Sequence, residues 1–145
     1  MDYTCTTLVR RPPAAVMALL LDHDRMKEWE EGLLRIDWIE RPKGRGEGSA
    51  WLVFAAPEGE MRMKETVLSV EPLRLEVVYE LGTVWNRCVN RLEAMPEGTL
   101  WSMDVTFLGK DMTPLPAADF RSGTETGMAR FKRFAESLGK PGRKN

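Results

Sequence analysis

Residues 33–108 alternate between apolar and polar side chains, and this period of two is the sequence feature that most restricts the fold. Successive side chains of a β-strand point to opposite faces, so the alternation predicts strands with one buried and one solvent-facing side. The clearest segment has a large apolar residue at every second position: Trp101, Met103, Val105 and Phe107. Turns rich in glycine and proline divide the region into six strands, which we expect to pair as antiparallel hairpins.

A further strand and two short helices precede these strands. Residues 2–10 are rich in Thr, Tyr and Val and predict a further strand. A proline pair then favours the start of a helix over residues 13–21, because proline is tolerated in a first helical turn. A second short helix carries Met26 and Trp29 and ends at Gly32.

Residues 117–138 predict one long helix at the C-terminal end. Its apolar residues form a broad stripe at helical spacing: Phe120, Met128, Phe131, Phe134 and Leu138. Gly123 and Gly127 lower helix propensity, and they would let the helix pass close to backbone or to a ligand. We expect a single domain over residues 1–138, followed by a disordered basic tail over residues 139–145.

Composition excludes several classes of protein. The 145 residues include 21 basic and 22 acidic side chains, for a net charge of -1, whereas nucleic-acid binding normally needs a basic surplus. The longest apolar run, residues 14–21, is far shorter than the roughly 18 residues of a membrane span. No signal peptide is recognisable, and Cys5 and Cys88 have no metal-ligand spacing. We therefore expect a cytoplasmic protein with two reduced cysteines, no integral membrane association and no nucleic-acid partner.

Local motifs in this order of elements resemble one known superfamily. The first helix carries Pro-Ala-Ala-Val at residues 13–16, followed by Leu19 and Asp22, and Trp29 lies in the second helix. Gly-Glu-Gly at residues 46–48 precedes the third strand, and Val-Glu-Pro-Leu-Arg-Leu at residues 70–75 forms a strand–Pro–strand hairpin. Over residues 2–138 the chain resembles the START/Bet v 1-like (SRPBCC) superfamily, in its bacterial polyketide cyclase/dehydrase and lipid-transport branch.

The resemblance implies an α+β helix-grip fold. In that fold a curved seven-stranded antiparallel sheet wraps around a long C-terminal helix, with two short helices after the first strand. The resemblance also implies a cavity between sheet and helix that opens near the short helices. Members bind lipids, sterols, polyketides or plant hormones, some cyclise or aromatise polyketides, and some act with chaperones. A fold shared by such different proteins does not settle function.

Strand alternation predicts which side chains face the concave side of the sheet. Candidate ligand-binding residues there are Trp38, Met61, Met63, Tyr79, Trp101 and Met103, together with Leu75 and Phe107, while Met128 and Phe131 would face them from the helix. On the third strand Leu52 and Phe54 compete with Trp51 and Val53, and alternation leaves the inward face undecided. Methionine suits a pocket that accepts varied apolar shapes, although each of these residues could equally fill a core.

Polar residues on the same face are more informative. Glu65 continues the row of Met61 and Met63, and Asn86 and Asn90 share an uncharged face of the sixth strand. With Tyr79 they predict a few polar groups that orient a mostly apolar ligand. A bulge that turns Glu65 outward, or an internal cluster satisfied by water, is the alternative.

Strong catalytic signatures are absent from the sequence. We expect His23, the single histidine, to be an exposed turn residue, so a histidine-based metal site or triad is not predicted. The glycines of residues 44–48 mark a hairpin turn rather than a phosphate loop. We expect no metal and no cofactor, and Glu65 is only a weak candidate for a catalytic residue.

These observations favour non-catalytic binding or transport of a small hydrophobic or amphipathic ligand in an internal cavity. One alternative is a polyketide cyclase/aromatase-like enzyme in which Glu65 is the general base and Tyr79 or the asparagines polarise a carbonyl. Another is a chaperone-associated protein-interaction module. The sequence leaves the ligand open and is compatible with a monomer or a homodimer.

Overall fold

One antiparallel sheet and one long helix make up most of the chain. The computed structural model describes residues 2–116 and 118–139. The elements in chain order are β1 (Asp2–Val9), α1 (Pro13–Leu20), a 3-10 helix (His23–Glu28), β2 (Leu33–Lys43), β3 (Glu47–Ala56), β4 (Gly59–Glu71), β5 (Arg74–Leu81), β6 (Val84–Met95), β7 (Gly98–Leu108), a short 3-10 turn (Lys110–Met112) and α2 (Ala118–Leu138).

The sheet contains seven strands in the order β1-β7-β6-β5-β4-β3-β2. Strands β2 to β7 follow one another as antiparallel hairpins, and β1 pairs antiparallel with β7. The two strands at the ends of this order, β1 and β2, are separated in sequence by α1 and the His23–Glu28 helix. The predicted α+β helix-grip fold is confirmed.

The close approach of β7 to the chain after β1 depends on Gly98. This residue has a φ of 151°, a conformation that side chains with a Cβ rarely adopt. A Cβ at Gly98 would also collide with the carbonyl oxygen of Val9. The glycine of the predicted Pro96-Glu97-Gly98 turn is thus required by backbone conformation and by space.

The core lies between the concave face of the sheet and α2. A large hydrophobic cluster joins β1, α1 and the central strands to Met128 and Phe131 of α2. A second, smaller cluster contains Met26, Leu33, Leu52 and Phe54. Leu52 and Phe54 therefore face the interior, which answers the question that alternation left open for β3.

The boundaries of several elements differ from expectation. The second short helix is a 3-10 helix that ends at Glu28 rather than at Gly32. β1 ends one residue earlier than predicted, and the loop before α2 contains a short 3-10 turn. Apart from Gly139, the predicted tail lies outside the described residues. Within residues 2–116 and 118–139, no helix is long and apolar enough to cross a membrane.

Candidate functional site

A cavity of about 410 Å³ lies between the concave face of the sheet and α2. Small-molecule sites usually occupy about 300–1,000 Å³ and combine apolar walls with a few polar groups. The end of α1 and the following 3-10 helix contribute Leu20, Leu21 and Met26 to the wall. The cavity therefore has the size and the composition of a small-molecule site.

Many of the candidate ligand-binding residues lie in the cavity wall. They are Met63, Glu65, Tyr79, Asn86, Asn90, Trp101, Met103 and Met128. Leu75 and Phe107, which the alternation also assigned to the concave face, line the cavity as well. Whether any of these side chains contacts a ligand stays a prediction.

Five other candidates do not line the cavity. Leu52 and Phe54 are packed in the smaller cluster. Phe131 is fully buried in the core, where its ring meets Trp101 edge-on at 5.1 Å. Met61 lies opposite the inward-facing Phe54, on the face that alternation predicts, but beside the β3–β4 hairpin it is 39% exposed and packs in neither hydrophobic cluster. Trp38 lies behind His23, with the two ring centroids 4.8 Å apart.

Polar candidates from neighbouring strands form a row across the sheet. Strand register places Glu65 opposite Tyr79, Tyr79 opposite Asn86 and Asn86 opposite Phe107. On the other side of Glu65 the row continues through Ala50 to Trp38. Directly opposite residues in a sheet have Cβ atoms about 4.5–5.5 Å apart, so the row brings these polar groups within reach of one another.

His23 is buried and bound to Glu65, so the expectation of an exposed turn histidine is wrong. Its Nε2 lies 2.5 Å from Oε1 of Glu65, and the two side chains are only 7% and 5% exposed. The ring also contacts Trp38, and the small side chain of Ala50 between Trp38 and Glu65 leaves room for it. Glu65 does point inward as predicted, and its buried carboxyl group is partnered by His23.

Hydrogen bonding fixes the proton on one ring nitrogen of His23. Nδ1 lies 3.1 Å from the carbonyl oxygen of Leu21, which can only accept, so Nδ1 carries a proton. Burial by itself lowers the pKa of His23, but the hydrogen bond to Glu65 and the charge of Glu65 raise this pKa above its ordinary value. The upward shift favours the doubly protonated ring, whose Nε2–H donates to the carboxyl group of Glu65.

Tyr79 is the third polar group at this end of the cavity. Strand register places it directly opposite Glu65 in the β4–β5 pair. Burial and then the charge of Glu65 raise the pKa of Tyr79 well above its ordinary value, so the phenol stays protonated. His23 and Tyr79 are thus the two polar neighbours of Glu65.

The 3-10 helix and the residue that follows it present several wall residues that the sequence interpretation did not treat as a set. His23, Met26 and Trp29, which directly follows the helix, are spaced by three residues and all line the cavity. In a 3-10 helix, residues i and i+3 lie one above the other, whereas an α-helix with this spacing turns them progressively away. The three-residue spacing was the signal that could have placed His23 inside. Glu30, which also lines the cavity, has no comparable signal.

The two asparagines have different partners. Asn90 is buried, donates to the carbonyl oxygen of Leu75 at 3.2 Å and accepts from Nε1 of Trp101 at 2.9 Å. Its amide is thus occupied by the protein and positions the Trp101 ring. The oxygen of Asn86 accepts a weak bond from the Cys88 thiol at 3.5 Å, and burial raises the pKa of that thiol to about 12. Its amide nitrogen has no partner among the described residues, so Asn86 is the freer of the two toward a ligand.

Glycines of α2 leave space at the helix side of the cavity. Gly123 and Gly127 line it, and a Cβ added to either would have no described atom within 4 Å. These glycines therefore border open space rather than a close backbone contact. The wall has room here that a larger side chain would fill.

The fold and the cavity together define a helix-grip protein with an internal cavity between sheet and helix. The chain belongs to the family described as polyketide cyclase/dehydrase and lipid transport, which matches residues 2–138. The predicted superfamily resemblance is thereby confirmed. The family indicates hydrophobic ligand binding or polyketide cyclase-like activity. A search of curated proteins finds no match.

Solved structures with a similar fold include proteins of very different origin. Ara h 8.0201 is 13% identical with a TM-score of 0.77, over 94% of this chain and 98% of its own. The aromatase/cyclase StfQ of steffimycin biosynthesis, a di-domain protein, is 13% identical with a TM-score of 0.74, over 95% of this chain and 51% of its own. The AHSA1-like protein of Aeromonas hydrophila is 20% identical with a TM-score of 0.72, over 100% of this chain and 99% of its own. At these identities the likeness shows the fold alone.

Proposed function

We propose that this protein binds a small, mostly apolar molecule in the cavity between its sheet and α2, without catalysing a reaction. The observation that carries the proposal is a mostly apolar cavity of about 410 Å³ with a row of polar side chains across its sheet wall. Burial of apolar ligand surface, at about 25 cal/mol per Å², would supply most of the affinity. Glu65, Tyr79 and Asn86 would orient the ligand.

The test is direct binding of the uncharged fluorescent probe N-phenyl-1-naphthylamine, together with native mass spectrometry of freshly purified protein. We expect saturable fluorescence enhancement at one site per chain and, where a natural ligand is retained, a co-purified apolar mass. The Gly127→Leu variant should weaken probe binding at least tenfold, because the new side chain enters the cavity.

A matched control comes from the same helix. Glu125 is exposed and is not part of the cavity wall, so Glu125→Leu adds the same side chain outside the cavity. It should bind the probe like the unmodified protein. Equal binding by all three proteins would place the probe elsewhere and contradict the proposal, as would a complete lack of probe binding.

Proton transfer within the cavity is a second candidate function, favoured by the buried contact of Glu65 with His23 and by the position of Tyr79 opposite Glu65. In a cyclase/aromatase-like reaction Glu65 would remove a proton next to a substrate carbonyl that the Tyr79 hydroxyl polarises. A linear poly-β-ketone analogue is the appropriate substrate, with ring formation followed by absorbance. Glu65→Gln should abolish turnover, and turnover that survives this change would remove the mechanism.

A further inference from the structure

Two buried atoms of the cavity wall can stay in contact only if a proton lies between them. Nε2 of His23 and Oε1 of Glu65 are 2.5 Å apart, and both side chains line the cavity. Because Nδ1 carries the proton that it donates to the Leu21 carbonyl, a neutral ring in this tautomer has a lone pair on Nε2. That lone pair would face an oxygen of an ionised carboxylate, and the two acceptors would repel each other. Loss of the shared proton therefore breaks the contact.

The wall offers Glu65 no other cation. None of the described wall residues is lysine or arginine. On the histidine side, Asp22 precedes His23 in the chain and its charge raises the pKa of the ring, while Trp38 of β2 packs against it. Arg41 of the same strand lies 5.8 Å from the centroid of the Trp38 ring and is exposed. The proton between His23 and Glu65 is thus what neutralises the carboxylate within the wall.

The other titratable groups of the described wall are Glu30, Tyr79 and Cys88. Burial raises the pKa of Tyr79 well above its ordinary value and that of Cys88 to about 12, so both stay protonated up to about pH 9.5. Burial also raises the pKa of Glu30, which Arg130 of α2 lowers and the charge of Glu65 raises again. Between pH 6.5 and 9.5 we therefore expect His23 to change charge, and Glu30 is the group to control for.

Loss of the shared proton changes the cavity for an apolar ligand. Glu65 becomes an unpaired carboxylate in the wall, and such a charge is expensive to keep away from water. The carboxylate then holds water in the cavity, and an apolar ligand that fills the cavity must displace this water. With the proton in place, the two facing atoms satisfy each other and the ligand displaces water at a lower cost.

We infer that ligand binding in this cavity is coupled to proton uptake: the site holds an apolar ligand while a proton lies between His23 and Glu65, and it releases the ligand as that proton is lost with rising pH. Because such coupling is reciprocal, the bound ligand also makes His23 harder to deprotonate. This inference rests on the proposed binding function and concerns the regulation of the same site.

Titration with the uncharged probe N-phenyl-1-naphthylamine between pH 6.5 and 9.5 tests it, wherever circular dichroism shows that the protein stays folded. We expect the Kd to be at least fivefold higher at the upper end. Failure of the probe to bind at any pH would count against cavity binding itself. Normal binding with the same Kd throughout would overturn only the coupling to protons.

Three variants assign the effect to residues. His23→Gln gives Glu65 a neutral donor that does not titrate, so the Kd should no longer depend on pH. Glu30→Gln and Asp24→Asn, the latter at an exposed position of the same 3-10 helix, should keep the dependence of the unmodified protein. A dependence that survives His23→Gln, or one that disappears in Glu30→Gln, would show that His23 is not the coupled group.

A second measurement needs no variant, because His23 is the single histidine of the chain. Its imidazole proton resonances in NMR spectra, followed against pH, give its pKa with and without the probe. The pKa should be higher with the probe bound, and a tenfold change in Kd corresponds to a rise of about one in this pKa. A pKa of His23 that is the same in both states would overturn the coupling, even where the Kd varies with pH.

Discussion

At the scale of single residues, Glu65 and His23 are energetically inseparable. Removing two charges from water is expensive, and the attraction between them repays this only when geometry and further hydrogen bonds are favourable. Here the Leu21 carbonyl supplies one such bond, to Nδ1 of His23. Replacement of either His23 or Glu65 alone leaves the other as an uncompensated buried charge. Each single substitution should therefore lower the free energy of unfolding by more than the intact pair contributes to it.

Stability should fall as pH rises above about 6.5. The folded pKa of His23 lies above its ordinary value, so its contribution is fully present below the unfolded pKa of about 6.5 and is lost as pH rises through the folded value. The raised pKa of Glu30 acts with the same sign from about 4.5 upward, since the folded state again holds the extra proton. Urea unfolding between pH 5.5 and 9 measures the slope.

The Glu65→Gln variant isolates the histidine contribution. Without the carboxylate, burial, the largest influence on the pKa of His23, is opposed only by the smaller upward contributions of the Leu21 carbonyl and Asp22, so the decline above pH 6.5 should disappear or reverse. Glu93→Gln, on an exposed position of β6, should retain the decline. If both variants keep the slope of the unmodified protein, His23 and Glu65 do not form the coupled pair described above.

Asn90→Leu should destabilise the fold by about 1–3 kcal/mol, because it leaves the buried Nε1–H of Trp101 without its acceptor. In a Trp101→Phe background the same change should be less costly, since the donor is gone. Urea unfolding of the four proteins in this double-mutant cycle gives the coupling energy. Identical costs of Asn90→Leu in both backgrounds would mean that the hydrogen bond contributes nothing measurable.

At the scale of elements, strands were predictable and the short helices only in part. Alternation identifies strands because side-chain direction has a fixed period of two, and β5, β6 and β7 follow it. On β3, Leu52 and Val53 are 1% and 0% exposed, so both faces are covered and alternation carries no information there. The interpretation failed at His23 because it assigned this residue to an exposed turn, whereas the 3-10 helix begins at His23 and has three residues per turn.

Replacement of Gly123 or Gly127 by alanine should stabilise α2. Glycine inside a helix is less favourable than alanine by about 0.5–1 kcal/mol, and an added Cβ meets no described atom within 4 Å at either site. Denaturant unfolding should show an increase of about that size for each variant. The reverse change, Ala129→Gly on the same helix, should lower stability; a loss of stability in the Gly→Ala variants would contradict the open space assigned to these positions.

At the scale of the whole molecule, the sequence identifies a concave face but does not say whether it encloses a core or a cavity. Met63 and Met103 line the cavity while Leu52 and Phe131 fill the core, although all four are apolar residues at inward positions. The difference depends on the distance between sheet and α2, which is set by packing among remote elements. Strand register likewise brings Glu65, Tyr79 and Asn86 into one row. The two-residue turn at residues 82–83 sets Tyr79 opposite Asn86, but the pairing of Glu65 with Tyr79 also depends on a register shift between Val67 and Ser69 that alternation does not reveal.

A cavity between sheet and helix couples ligand binding to the stability of the whole fold, because a ligand held by both layers binds only when they are assembled. N-phenyl-1-naphthylamine at ten times its Kd should raise the unfolding free energy by about 1.4 kcal/mol. For a chain of this size that corresponds to an increase in Tm of roughly 3–6 °C.

Gly127→Leu should fold yet show no such increase at the same probe concentration, whereas Glu125→Leu should match the unmodified protein. Differential scanning calorimetry measures all three, and an equal shift in Gly127→Leu would mean that the probe stabilises the fold from a site outside the cavity.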